Sequence, residues 1–268
     1  ATGPPMTEPE LVLFDLDGVF YEGDRAIPGA LDALDEIRRR AMPYLLVTNT
    51  SSRPRSALVE KLAGFGLQVT EDEILTPAVA AGDWLRAQGA GPVAAFLDAA
   101  TVQDLGELEQ LEAGAESGAG AVVIGDLGSA WDFATLNRAF RLLMAEQSPY
   151  LVALGMTRYW KAPDGLRLDT APFVVALEHA TDLEATVLGK PSRHFFDAAL
   201  ARLGVAAGEA VMIGDDVRSD VGGAQQIGLA GVLVRTGKFR EADLRGSVRP
   251  DGVIDSVAAL PDWLDGQR

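Results

Sequence analysis

Two carboxylates one residue apart in Asp15-Leu16-Asp17-Gly18 can work on the same reacting atom. Asp15 can point at a substrate as nucleophile while Asp17 leans over the same centre as proton donor and acceptor. Three further stretches hold matching chemistry: Thr48-Asn49, Gly189-Lys190-Pro191, and Gly214-Asp215-Asp216 with Asp220. Carboxylates this crowded repel one another and raise a pKa unless a cation neutralises them. A site rich in oxygen and without nitrogen ligands calls for a hard ion, and Mg2+ fits it. Lys190, on a turn framed by Gly189 and Pro191, supplies a placed positive charge. Thr48 and Asn49 offer a hydroxyl, an amide and backbone N–H groups near a helix start, a cradle for phosphate oxygens. Asp15 can then attack phosphorus in line, forming an aspartyl-phosphate that water hydrolyses, while Lys190 and Mg2+ stabilise charge on the transferring group.

Taken singly, each group has a plainer use. An isolated Asp-x-Asp caps a helix or makes a turn, and a lone lysine is solvated. Their positions argue otherwise, because each follows a predicted strand. Leu11-Val12-Leu13-Phe14 is a short apolar run emptying into Asp15, and Tyr44-Leu45-Leu46-Val47 ends at Thr48. Ala185 to Leu188 precedes Lys190, and Ala210 to Ile213 precedes Gly214. Uniformly apolar runs of this length suit strands buried on both faces. Helical spacing over Gly29 to Arg40, Pro54 to Phe65, Phe195 to Leu203 and Gly222 to Ile227 alternates with them. The expected fold is therefore α/β, a doubly wound parallel sheet, with four polar strand ends meeting at one carboxyl-terminal crevice.

Between the halves lies a segment with its own alternation: strands at Val93 to Leu97, Ala121 to Ile124 and Leu151 to Leu154, and a helix at Phe133 to Met144. A hairpin is expected over Arg158 to Leu168 with its turn at Pro163-Asp164-Gly165. Leu105, Leu108 and Leu111 predict an amphipathic helix within Gly106 to Gly120. The expected organisation is a discontinuous core at 7–80 and 183–268 with an inserted α/β domain at 81–182.

Composition narrows the function. The 268 residues carry 48% apolar and 23% charged residues, globular usage, with a net charge of -16. Nucleic-acid binding, which draws on clustered Lys and Arg, is not expected. The absence of cysteine excludes disulfides, zinc thiolates and a cysteine nucleophile, and His179 and His194 are too few for a multi-histidine metal site. Ala1-Thr2-Gly3-Pro4-Pro5 lacks a basic segment leading into an apolar run, and no stretch is apolar enough to span a membrane. A cytoplasmic protein with a loose N-terminus is expected.

Together the four motifs, in this order, resemble those of the haloacid dehalogenase superfamily. The large insert between the second and third is similar to the branch with a type-two cap. Gly155-Met156-Thr157-Arg158-Tyr159-Trp160-Lys161, Asp220-Val221-Gly222-Gly223-Ala224-Gln225 and Val234-Arg235-Thr236-Gly237-Lys238-Phe239 look most like the phospholysine phosphohistidine inorganic pyrophosphate phosphatase group. The resemblance implies metal ligation by the Asp15 side chain, the Asp17 backbone carbonyl and Asp215, with Asp216 acting through water and Asp220 orienting Lys190 or a metal-bound water. Asp17 implies phosphate hydrolysis, since dehalogenase-type members lack an acid there. It also implies that the cap reads the leaving group of a small phosphorylated substrate, with Arg158, Tyr159, Trp160 and Lys161 as candidates, and that homodimers pair through the cap. The alternative from another class is a receiver-like phospho-acceptor, which gathers carboxylates around magnesium but needs neither Asp17 nor an inserted domain.

Overall fold

The computed structural model describes residues 9–145, 148–162 and 164–267. The opening Ala1 to Pro5, and with it the loose N-terminus expected there, lies outside the described residues, as does Pro163 of the hairpin turn. The chain divides into two compact units, one of residues 1–48, 59–75 and 190–268 and the other of 49–58 and 76–189. Among the described residues no helix is long and apolar enough to cross a membrane.

The first unit opens on β1 (Leu11–Phe14), all four side chains fully buried as its uniform apolar run requires. A small hairpin, β2 (Tyr21–Glu22) with β3 (Arg25–Ala26), follows the first acidic loop. Helix α1 (Ala30–Arg39) buries Ala30, Ala33, Leu34 and Ile37 on one stripe and carries Asp32 in its first turn and Arg38 and Arg39 in its last, the signs that favour its dipole. Strand β4 (Tyr44–Val47), helix α2 (Arg55–Gly64) and β5 (Ile74–Leu75) come next.

The second unit contains α3 (Pro77–Ala87), β6 (Val93–Phe96), α4 (Ala99–Val102), β7 (Ala121–Ile124), α5 (Phe133–Leu143), β8 (Tyr150–Ala153), β9 (Tyr159–Ala162), β10 (Gly165–Leu168), α6 (Thr170–Thr181) and β11 (Thr186–Val187). Its parallel four-stranded sheet has the order β11-β8-β7-β6, and its core gathers Phe96, Val122, Ile124, Leu142, Leu151 and Val174. Trp131 stacks between Phe96 and Phe173, with ring centroids 5.9 and 4.5 Å away. The hairpin formed by β9 and β10 is antiparallel, pairing Tyr159 with Leu168.

Back in the first unit, α7 (Arg193–Leu203), β12 (Ala210–Gly214), a π-helical turn at Val217–Gly222, α8 (Gly223–Gln226), β13 (Ala230–Val234), β14 (Gly252–Ile254) and α9 (Leu260–Asp265) complete the chain. Its six-stranded parallel sheet runs β14-β13-β12-β1-β4-β5. The order reverses at β1, which pairs with β4 on one side and β12 on the other. Such a switch point opens a crevice beyond the carboxyl ends of the strands.

Two expectations are corrected. The strand expected at Ala185 to Leu188 forms, as Thr186–Val187, but it pairs with β8 at the edge of the second unit's sheet. Lys190 is thus delivered where the chain leaves that sheet, not by a strand of the first. Nor does Gly106 to Gly120 form a helix. Left-handed residues Gly106, Gly114 and Gly118 interrupt it, and the stretch around Gln110 runs along β6, with Val93 N donating to Glu109 O at 2.7 Å and Leu111 N to Val93 O at 2.8 Å. Leu111 packs against this unit's core, and the segment covers a sheet edge, which satisfies backbone groups that would otherwise be open.

Candidate active site

Three of the four expected groups close on one point of the first unit. Lys190 is buried, and its Nζ donates to Asp15 Oδ1 and Asp220 Oδ1, each at 2.7 Å. Asp15 sits one residue past β1, its own N–H donating to Ile213 O of β12 at 2.9 Å, so the backbone of two central strands sets its place. Asp220 lies in the π-helical turn after β12, where its Oδ2 also accepts from Asp216 N at 3.1 Å. One lysine therefore bridges a carboxylate after β1 and another after β12. Ligand-type oxygens of Asp15, Asp215 and Asp220 lie within 4.8 Å of one another, all three residues buried.

Burial drives the electrostatics. It pushes Asp215 up to about 7, the neighbouring Asp15 and Asp220 charges adding to the rise while the Lys238 N–H opposes it. Burial likewise raises Asp220 against the pull of Lys190. Burial alone would lower Lys190, but Asp15 and Asp220 outweigh it and hold the ammonium charged. A single lysine does not neutralise three buried carboxylates, and the shortfall is what a cation would supply.

The donor set fits a divalent cation. Asp215 Oδ1 is buried without a hydrogen-bond partner, while its Oδ2 accepts from Lys238 N at 2.7 Å. A buried charged oxygen left unpaired is costly, and an ion beside it removes the cost. Asp220 suits ligation less well, since both its oxygens already accept from protein donors. It serves instead to hold Lys190. Asp216 uses Oδ1 to cap the helical turn, accepting from Arg218 N and Ser219 N at 3.0 Å each. Burial would raise its pKa, but those two N–H groups and the nearby lysines lower it.

The remaining expected residues are placed differently. Asp17 is exposed in the loop after β1, bridged to Tyr21. Thr48 is buried one residue past β4, and its N–H donates to Leu75 O at 3.1 Å, so that group extends the sheet and is no part of a phosphate cradle. The N-terminus of α2 is also occupied: Arg55 N donates to Asp104 Oδ2 at 2.8 Å, so a protein carboxylate fills the anion position expected for phosphate. Asn49 is exposed and belongs to the second unit, as do Arg158, whose guanidinium lies 5.8 Å from the Tyr159 ring centroid, and Tyr159 itself.

The loop after β13 is a component that side-chain chemistry did not single out. Thr236 Oγ1 donates to Gly18 O, Gly237 N to Glu22 Oε1, and Lys238 N to Asp215 Oδ2. Gly18 and Gly237 have φ of 82° and 65°, and a Cβ on either would collide with Asp215 Oδ2. Two bare backbones thus press on one carboxylate, and only glycine allows it.

Residues 12–109 match a family model described as haloacid dehalogenase-like hydrolase, and residues 187–260 match a second, described as HAD-hydrolase-like. With relatives about 40% identical along nearly its whole length, the chain belongs to the haloacid dehalogenase-like hydrolases, in the branch with a type-two cap. Those relatives include human phospholysine phosphohistidine inorganic pyrophosphate phosphatase, 40% identical over 258 residues that cover 94% of this chain and 93% of that protein. Human haloacid dehalogenase-like hydrolase domain-containing protein 2 is 42% identical over 232 residues, covering 87% and 86% respectively. Among solved structures, p-nitrophenyl phosphatase from Archaeoglobus fulgidus superposes with a TM-score of 0.83 at 27% identity, covering 98% of this chain and 100% of that one.

Proposed function

We propose that this chain is a magnesium-dependent phosphatase that hydrolyses a small phosphate ester or anhydride through an aspartyl-phosphate on Asp15. What carries the reading is the buried constellation in which Lys190 holds Asp15 at 2.7 Å beside the unpartnered Asp215 Oδ1. The names of the relatives agree with it, covering phosphoamino acids, inorganic pyrophosphate and p-nitrophenyl phosphate.

Asp15, held at Oδ1 by Lys190, attacks phosphorus with a carboxylate oxygen as the bond to the leaving oxygen breaks. Asp17 gives its proton to that leaving oxygen. Water then attacks the aspartyl-phosphate, Asp17 takes the water's proton, and inorganic phosphate and the Asp15 carboxylate are regenerated. The Thr48 hydroxyl, the Asn49 amide and Lys190 bind the phosphoryl oxygens, and Asp220 keeps Lys190 aimed. Asp15, the Asp17 carbonyl and Asp215 would hold the magnesium, which when bound neutralises charge on the transferring group.

Phosphate release from p-nitrophenyl phosphate is the direct test. Release is expected with Mg2+ and lost on adding a chelator, then restored by excess Mg2+. Stable phospho-protein without turnover would instead indicate the receiver-like alternative.

Residues 81–182 are proposed as the cap that reads the leaving group, with exposed Arg158 and Tyr159 supplying contacts. The same hairpin exposes Leu166 and Leu168 at 73% and 63%, large apolar surface for a two-stranded element. Such surface supports a homodimer formed through this region. Leu166→Lys with Leu168→Lys should shift the protein to monomer in sedimentation, and an unchanged mass would refute this interface. A cytoplasmic location accompanies this reading, and phosphatase fractionating with secreted protein in its host would count against it.

A further inference from the structure

Lys190 and Lys238 stand in opposite situations around the same carboxylates. Lys190 is buried, with two donors engaged by Asp15 and Asp220. Lys238 is anchored by its backbone: its N–H donates to Asp215 Oδ2 at 2.7 Å, and the preceding Gly237 is wedged against Asp215 and Gly18. That anchor fixes the Lys238 Cα at the rim of the cluster. Its side chain is 69% exposed, and its ion pair is a long one, Nζ to Asp216 Oδ2 at 3.9 Å. The ammonium is thus tethered beside the acidic centre yet keeps donors for something else. The facing carboxylates are Asp215, Asp15, Asp216 and Asp220, whose negative charge favours the ammonium form.

Charge balance says what that something is. Four carboxylates, Asp15, Asp215, Asp216 and Asp220, surround Lys190 as their buried counter-charge. Even with a divalent cation the site stays negative, and a phosphate dianion entering it would be repelled. A flexible cation at the rim offsets this on the approach side, and a lysine on a four-carbon stem can swing from Asp216 to a phosphate oxygen.

We propose that Lys238 is a substrate-binding residue, its ammonium taking a non-bridging oxygen of the incoming phosphoryl group while its own N–H fixes Asp215. This rests on the phosphatase reading. The two roles separate cleanly, because a side-chain substitution leaves the N–H in place.

The test compares wild type, Lys238→Met and Lys238→Arg in steady-state hydrolysis of p-nitrophenyl phosphate, in calorimetric binding of inorganic phosphate with Mg2+ present, and in Mg2+ binding alone. Lys238→Met is expected to raise KM and weaken phosphate binding by about 10-fold each, the loss of one exposed charge-assisted hydrogen bond. It should change kcat by less than about 3-fold, as expected when binding is lost equally from ground and transition states. Mg2+ affinity should hold, and Lys238→Arg should recover most of the phosphate affinity. Unchanged KM and phosphate affinity in Lys238→Met would overturn the proposal. So would a loss of Mg2+ affinity as large as the loss of phosphate affinity, which would make Lys238 a support for Asp215 only. A wild-type protein that binds phosphate but hydrolyses no ester would instead sink the phosphatase reading, and the phosphate affinities of the variants would still decide the role of Lys238.

Discussion

Asp15→Asn is expected to lower phosphate release by about four orders of magnitude or more, the scale reached when the nucleophile of a covalent mechanism is removed. The amide is nearly isosteric, and its oxygen can still accept from Lys190, which also keeps Asp220 as partner at 2.7 Å. What it cannot do is form an acyl phosphate that water will hydrolyse. Fold stability should change little, since removing one of three crowded buried carboxylates relieves repulsion about as much as it weakens the pairing with Lys190. Phosphate release, the thermal midpoint and intact mass after incubation with substrate check this together: activity lost, midpoint within a few degrees, and no phosphorylated species. Full activity in Asp15→Asn would show that another group attacks phosphorus.

The parts of this site that a sequence displays are those carried by side chains of distinctive type after strongly apolar strands. Leu11 to Phe14, Tyr44 to Val47 and Ala210 to Ile213 read as buried strands because every side chain in such a run must leave water. The polar residues that come next therefore fall at one sheet edge. Lys190 shows where this reasoning stops. Thr186–Val187 is only two residues long, and nothing local tells which sheet will pair with it, because the partner, Val152 and Ala153, lies more than thirty positions earlier. Lys190 still meets Asp15 and Asp220, as the residue on which the chain returns to the first unit. The stretch at Gly106 to Gly120 departs from expectation for a related reason: its leucine spacing fits a helix, while backbone pairing with Val93 and three left-handed glycines decide the structure. Thr48 differs in detail, its N–H spent on Leu75, because sheet registration beyond a strand's last residue is set by the neighbouring strand. The loop at Thr236 to Lys238 shows in the sequence only through its family likeness, since side-chain chemistry does not mark the main-chain groups of Gly237 and Lys238 that it uses.

Gly237→Ala gives that loop its sharpest test, with an expected loss of about 100-fold in Mg2+ affinity, the upper end of the range when the supports of a metal-ligand side chain are disturbed. Two costs must be separated. The backbone has φ 65°, where an L side chain adds about 1 kcal/mol of strain. The second cost is local: the new Cβ would collide with Asp215 Oδ2 and stand 2.6 Å from Gly18 Cα. Neither neighbour can yield cheaply. Gly18 is backbone in the loop that carries Asp15 and Asp17, and the Asp215 carboxylate is buried and tied to Lys238 N. Relief must come from swinging Asp215 or lifting the loop, and either one would take an oxygen from the place proposed for the cation. Gly204→Ala isolates the first cost, because its φ is 68° and nothing lies within 4 Å of the added carbon. It should lose roughly the same strain energy in thermal unfolding while keeping Mg2+ affinity and phosphate release near wild type. If the two variants bind Mg2+ equally well, the loop after β13 does not position Asp215, and the close packing of Gly18, Gly237 and Asp215 is a matter of stability alone.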